Sequence, residues 1–195
     1  DCDYTLQSAF VYTEQEKYIK EIEEEVNTAS ELGIKASFVE NIPFPIPIFA
    51  AVKFDNQAQF HPRKYVLSLA KILHDNHVHI YENTRAVNIE KNDKYLIITE
   101  QGKKIKADKV IIASQYPFYN KKGLYFSRLY PKRSYIVGIH AKEKYPGGMY
   151  INAEEPARSL RSQSTKEKEL ILVVGSNHTT GQDENTEKHY EELIN

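Results

Sequence analysis

The apolar positions change rhythm early in the chain. Leu6 to Tyr12 alternate loosely and are rich in β-forming residues, which predicts a strand. Thr13 then stands as an N-cap with Glu16 at the third following position. This capping box opens a predicted helix that runs to about Leu32 and stops at Gly33. In the next segment, ASFVENIPFPIPIFAAVKF, Pro43, Pro45 and Pro47 fall within five residues. Proline lacks the N–H that a helix interior or a central strand needs, so a rigid apolar packing turn is expected there.

From Phe54 onward the pattern sharpens. Pro62 occupies a first helical position, and Tyr65, Leu69, Ile72 and Leu73 form one apolar stripe to about Asp75. A strand is predicted from Val78 in HVHIYENT. The segments TRAVNIEKN, DKYLIITEQ and GKKIKA follow as a meander with turns at Asn92-Asp93 and Gln101-Gly102. Val110 to Ala113 is an unbroken apolar run of the kind that forms a strand buried on both faces. Beyond Ser114 the chain is rich in tyrosine and proline. It then offers a strand in SYIVGIHAK, a loop containing EEPARSLRSQS, a strand in ELILVVG and a final helix from near Asp183. The fold class expected from this order is α+β. Residues 1–54 and 116–195 would supply a mixed β-sheet part and a terminal helix, interleaved with a helix-plus-β-meander part over residues 55–115.

The strand ELILVVG runs into SNHTTGQD, which invites comparison with a phosphate-binding loop. The spacing excludes it. A P-loop has four residues between its glycines and Lys-Ser/Thr after the second, whereas Gly175 and Gly181 enclose five and are followed by Gln182 and Asp183. None of the eight glycines falls into the G-x-G-x-x-G register of a dinucleotide site. Gly175 reads as a turn after a buried strand.

Composition narrows the function classes further. With 27% charged and 41% hydrophobic residues over 195 positions, the chain can bury a sizeable core. A formal net charge of -1, with both signs mixed along the chain, gives no general attraction for nucleic acid. The single cysteine, Cys2, has no internal disulfide partner, and no apolar run approaches membrane-spanning length. A soluble, cytoplasmic protein is expected. Met149 is the only methionine and the chain opens directly on a strand-like run, so a piece of a longer protein is expected.

Few residues carry readable chemistry on their own. Arg158 and Arg161 in PARSLRSQS could fork onto the carboxylate of a substrate, line a redox-partner surface, or simply face water. In an extended chain residues three apart point to opposite faces, so at most one would enter a given pocket. His77 and His79 share one face of a predicted strand, with His74 nearby, but no cysteine or carboxylate completes a metal set. His140 and His178 have no readable Ser/His/Asp partners.

Longer motifs say more. FDNQAQFHPRKYVLSLAKIL, HIYENTRAVNI, KADKVIIAS, the tyrosine-rich run through KYPGGMYI, and PARSLRS with VVGSNHTTGQ resemble FAD-dependent oxidoreductases of the D-amino acid oxidase and glycine oxidase type. The likeness is greatest to the bacterial branch sometimes fused to a Rieske domain, and it covers nearly the whole chain. It implies an internal fragment of an enzyme that oxidises a small amine, amino acid or related donor by hydride transfer to FAD. The family's pyrophosphate-holding βαβ unit would lie before Asp1, so the fragment alone would hold no flavin and be inactive. The resemblance also implies that Val87 meets the adenine end of FAD, and that Ala113 and Ser114 end a strand where backbone approaches the cofactor. On the substrate side it leaves Arg158, Arg161 and Tyr150 as candidates, with the catalytic residues unassigned. A Rieske or other electron-transfer protein would be a partner. The competing reading is a non-enzymatic α+β protein-binding or dimerisation module whose tyrosine-rich loops contact another protein.

Overall fold

A computed structural model describes residues 1–120, 123–165 and 168–194. The fold is α+β, with a seven-stranded mixed sheet and a three-stranded antiparallel sheet. The chain divides into two units, Asp1–Leu69 with Lys132–Asn195, and Ala70–Pro131. No helix among the described residues is long and apolar enough to cross a membrane.

The first unit holds the large sheet. Its strands run in the order β2 (Ala36–Val39), β3 (Ala50–Gln59), β1 (Thr5–Thr13), β8 (Met149–Asn152), β9 (Ser159–Ser164), β10 (Glu169–Thr179) and β7 (Lys132–Ile139). The β1–β8 pair is parallel and the others are antiparallel. Alternation along β1 sends Val11 to one face and Phe10 and Tyr12 to the other. On the first face, helix α1 (Ile19–Glu31) packs Ile19, Ile22 and Val26 against Val11, Ala50 and Val52. On the second, Phe10, Tyr12, Ala51, Tyr150 and Ile171 form a core. Ile42, Phe44, Ile46 and Ile48 from the proline-rich turn cover it, which is the packing role expected of that segment.

Helix α1 ends as the sequence suggests. Gly33 takes φ +75°, its N–H reaches the Ser30 carbonyl, and the Ile34 N–H reaches Ala29, the paired bonds of a Schellman cap. Its start differs. Thr13 is the last residue of β1, and the capping box is not formed: Gln15 precedes a short 3-10 turn, Glu16–Tyr18, without a side-chain cap. The Thr13 hydroxyl is taken instead by Glu154, brought alongside from far along the chain.

Three further expectations change in this unit. EEPARSLRSQS is not all loop, because β9 lies within it between β8 and β10; Leu160 alone supplies apolar character, and pairing on both sides overrides weak local propensity. Gly175 is not a turn but an interior residue of β10, and the turn comes at Gly181, with φ +82°. The last helix, α3 (Glu187–Ile194), begins beyond Asp183 and sets Leu193 against Tyr135 and Val173.

Helix α2 (Pro62–Asp75), opened by proline as expected, runs into the second unit. There the meander forms as β4 (Ala86–Lys91), β5 (Tyr95–Thr99) and β6 (Lys104–Ala107). Gly102, at φ +74°, donates to Thr99 in the turn between the last two. The strands predicted from Val78 and over Val110–Ala113 are absent among the described residues. Neither segment has a partner strand there to take its N–H and C=O groups, and Ile111 is 91% exposed. His77, at φ +60°, lies in the turn after α2, so it shares no strand face with His79.

Candidate functional site

One strip of the large sheet stays open. On the face that α1 covers over β1 and β3, strand register sets Ile151, Ser159, Arg161, Leu172, Val174 and Ile136 side by side. Their apolar members are not buried: Ile136 is 57% and Ile151 40% exposed. Arg161 rises from this strip, and its Nη1 donates to the Phe60 carbonyl at 3.3 Å. No carboxylate among the described residues pairs with it. The rest of the guanidinium fork is therefore available to an anionic ligand over an apolar floor.

Arg158 belongs to the other face. Its Cγ and the Leu193 Cδ2 both lie 3.2 Å from the point a Cβ on Gly175 would occupy. Burial raises the Tyr12 phenol, and the nearby Arg158 charge offsets part of that rise. Tyr150 is on this face too. It is 2% exposed, stacks on Phe10 with ring centroids 5.1 Å apart, and donates its hydroxyl to the Gly147 carbonyl at 2.7 Å. Burial pushes its phenol up to about 12. Tyr150 is a core residue in this structure, and the three substrate-side candidates are not brought together.

The second unit carries Val87, Ala113 and Ser114. The β4–β5 register passes from Ala86 opposite Thr99 to Asn88 opposite Ile98, so Val87 is the extra residue of a bulge. A bulged residue is left out of the regular ladder pairing. Ala113 and Ser114 are exposed and lie outside any helix or strand after Ile112. Exposed small side chains at Ala113 and Ser114 and a bulge at Val87 suit the close approach of a flat cofactor, so these residues fit the group that the sequence resemblance implies.

A fourth cluster escaped sequence reading. Ser176 Oγ lies 2.7 Å from His189 Nδ1, and His189 Nε2 lies 3.0 Å from Asp183 Oδ2. A Ser/His/Asp arrangement therefore exists, through His189 rather than His140 or His178. It depends on a bulge in β10 where Ser176 adopts φ +48°, which turns its side chain toward α3. The local signal was the i, i+3 pair His189 and Glu192 on the terminal helix; the bulge itself has no sequence signature. Ser176 is 6% exposed and donates to Glu192 Oε2, so its hydroxyl is not presented as a nucleophile.

The seven-stranded mixed sheet of one unit and the three-stranded meander of the other define an α+β class without a phosphate-binding loop among the described residues. The profile of the DAO family, described as FAD dependent oxidoreductase, matches residues 1–195. The chain belongs to the DAO family of FAD-dependent oxidoreductases. A protein of Bacillus subtilis strain 168 with the provisional name Rieske 2Fe-2S iron-sulfur protein YhfW is 36% identical over 193 residues, covering 99% of this chain and 38% of its own length. Among solved structures, glycine oxidase from Bacillus cereus ATCC 14579 superposes with a TM-score of 0.77 at 16% identity, over 100% of this chain and 55% of its own. L-proline dehydrogenase from P. horikoshii follows at 0.75 and 13%, over 99% and 55%. The chain thus spans about half or less of the proteins it matches.

Proposed function

We propose that the protein containing this chain oxidises a small amine or amino acid that bears a carboxylate, with Arg161 as the group that holds that carboxylate. The observation that carries this reading is the Arg161 guanidinium on the open apolar strip of the sheet, bonded to the Phe60 carbonyl and with no carboxylate partner among the described residues. A planar fork binds a carboxylate through two parallel bonds and so fixes the donor carbon in position. The apolar neighbours Leu172, Val174 and Ile151 keep water away from the rest of the donor. Glycine and L-proline, the substrates in the names of the two structures, both carry a carboxylate.

Val87, Ala113 and Ser114 would hold FAD through backbone, and FAD when bound supplies the hydride acceptor. We assign the first unit to the substrate side and the second to part of the flavin domain. The Rieske name of the Bacillus relative supports an iron–sulfur electron-transfer partner. Anaerobic mixing of the flavin-loaded protein with glycine or L-proline, and with methylamine or pyrrolidine as counterparts lacking the carboxylate, tests the assignment. Bleaching of the flavin by the amino acids alone is the expected result. Equal bleaching by all four would remove the carboxylate from recognition.

A further inference from the structure

Arg161 belongs to a closed ring of contacts that begins and ends on β9, all within the first unit. Its Nη1 donates to the carbonyl of Phe60, two residues ahead of α2, at 3.3 Å. Four residues on, Lys64 Nζ donates to both carboxylate oxygens of Asp3, at 2.8 and 2.6 Å. Asp3 Oδ2 also accepts from Gln163 Nε2 at 3.2 Å, which returns the ring to β9. Gln163 and Arg161 are two apart on one strand and project from the same face. The segment from Phe60 to Lys64 is thus tied to β9 at two points, and Asp3 makes the second of them. The His61 N–H, bonded to the Cys2 carbonyl at 2.7 Å, joins that segment to the neighbour of Asp3 as well.

The backbone of Asp3 suits this role. Its φ is +56°, in the left-handed region that Asp and Asn enter more readily than other non-glycine residues. Its N–H bonds the Asp1 carboxylate at 3.0 Å in the same turn. The hydrogen bond from Lys64, ahead of any other cause, holds the Asp3 carboxyl below its ordinary value of 3.8. Lys64 engages both oxygens, and Asp3 forms no ion pair with Arg161. The guanidinium thereby stays clear of an internal carboxylate that lies one side chain away.

We propose, resting on the reading of Arg161 as the carboxylate anchor, that Asp3 is a positioning residue for it. Lys64 and Gln163, joined through Asp3, fix the Phe60 carbonyl relative to β9. That carbonyl restrains one nitrogen of the fork and leaves the other N–H groups to a ligand. A guanidinium restrained before the ligand arrives loses less rotamer freedom on binding. The ion pair itself adds little to fold stability, because the Lys64 and Asp3 side chains are 49% and 25% exposed. Its effect belongs to ligand binding rather than to the melting temperature.

Two variants open the ring at different bonds. Asp3→Asn tolerates the same backbone conformation and removes one acceptor oxygen, while Gln163→Met keeps the side-chain length and removes the donor to Asp3. Both are compared with the parent in the flavin-loaded protein. Nitrogen-15 NMR of the Arg161 guanidinium reads the restraint without any substrate, and its hydrogens should exchange about threefold to tenfold faster in each variant. KM for glycine or L-proline should rise by a similar factor with kcat nearly unchanged, because ground state and transition state lose the same binding. Methylamine and pyrrolidine should react as they do with the parent, and the melting temperature should hold. Unchanged Arg161 exchange in both variants would overturn the proposal. So would an equal loss for all four donors together with a lowered melting temperature, which is the mark of a purely structural residue. A KM for the amino acids that responds to Arg161→Lys but to neither variant would remove Asp3 and leave the anchor standing. Insensitivity to Arg161→Lys would remove the anchor, and the positioning role with it.

Discussion

Arg158 and Arg161, three positions apart, lie on opposite faces of the large sheet, one over Gly175 beside Leu193 and the other on the open strip with Leu172. Only Arg161 is placed to meet a ligand from that strip. Replacing Arg158 by Ala removes a packed stem rather than a binding group. The expected outcome is a loss of roughly 1 kcal/mol in stability by denaturant unfolding, with KM for the amine donor unchanged. A KM raised as strongly as stability is lowered would assign Arg158 to the substrate.

Gly175 is needed for close approach rather than for a turn. A Cβ there would sit 3.0 Å from the Ala157 carbonyl oxygen and 3.2 Å from both Arg158 Cγ and Leu193 Cδ2. Gly175→Ala should therefore lower the melting temperature, by an amount corresponding to about 1–3 kcal/mol of overpacking. Hydrogen exchange should show the loss concentrated in α3. Gly102→Ala is the contrasting case: nothing lies within 4 Å of the added Cβ, and only the positive φ is strained.

Glu154 is a buried carboxylate that accepts from the Thr13 hydroxyl at 2.6 Å and from the Glu14 N–H at 2.8 Å. Burial alone would raise its proton affinity, but these donors outweigh burial and hold it below the ordinary value of 4.5. A carboxyl depressed in the folded state contributes stability above its unfolded value, and that stability is lost as pH falls through the folded value. Thr13→Val should cost about 1.5–3 kcal/mol at neutral pH and move acid unfolding to higher pH. Thr13→Ser should restore both. Circular dichroism across an acid titration makes the comparison.

The contact proposed at Val87 runs through backbone, not side chain. Val87→Ala should leave flavin retention in the holoprotein nearly unchanged, whereas Val87→Pro, which removes the N–H at the bulge, should weaken it about tenfold or more. Fluorescence of released FAD on dilution gives the ratio. Strong loss in Val87→Ala would point to the side chain instead.

The sequence showed the elements that local chemistry decides: the Gly33 cap, the Pro62 helix start, and the meander with its turn at Gly102. It did not show β9, because Ser159 to Ser164 are mostly polar and become a strand only through neighbours on both sides. The runs from Val78 and Val110 failed in the opposite direction, apolar enough for strands but without partners among the described residues. Of the candidate site, the opposed arginines followed from strand periodicity alone. Tyr150 could not be placed because an aromatic residue reads the same in a core as in a pocket. The Ser176–His189 contact depended on one positive φ in a bulge.

The measurement that bears most directly on Arg161 is a two-by-two comparison in the flavin-loaded protein. Anaerobic flavin reduction is followed for parent and Arg161→Lys, each with an amino acid and with its decarboxylated analogue. Loss of a charge-assisted, two-point bond is worth roughly 1.5–3 kcal/mol, so kcat/KM for the amino acid should fall about tenfold to a hundredfold or more. The analogue should react slowly with both proteins and show little difference between them. An equal fall for both donors, or none for either, would contradict the assignment of Arg161 as the carboxylate anchor.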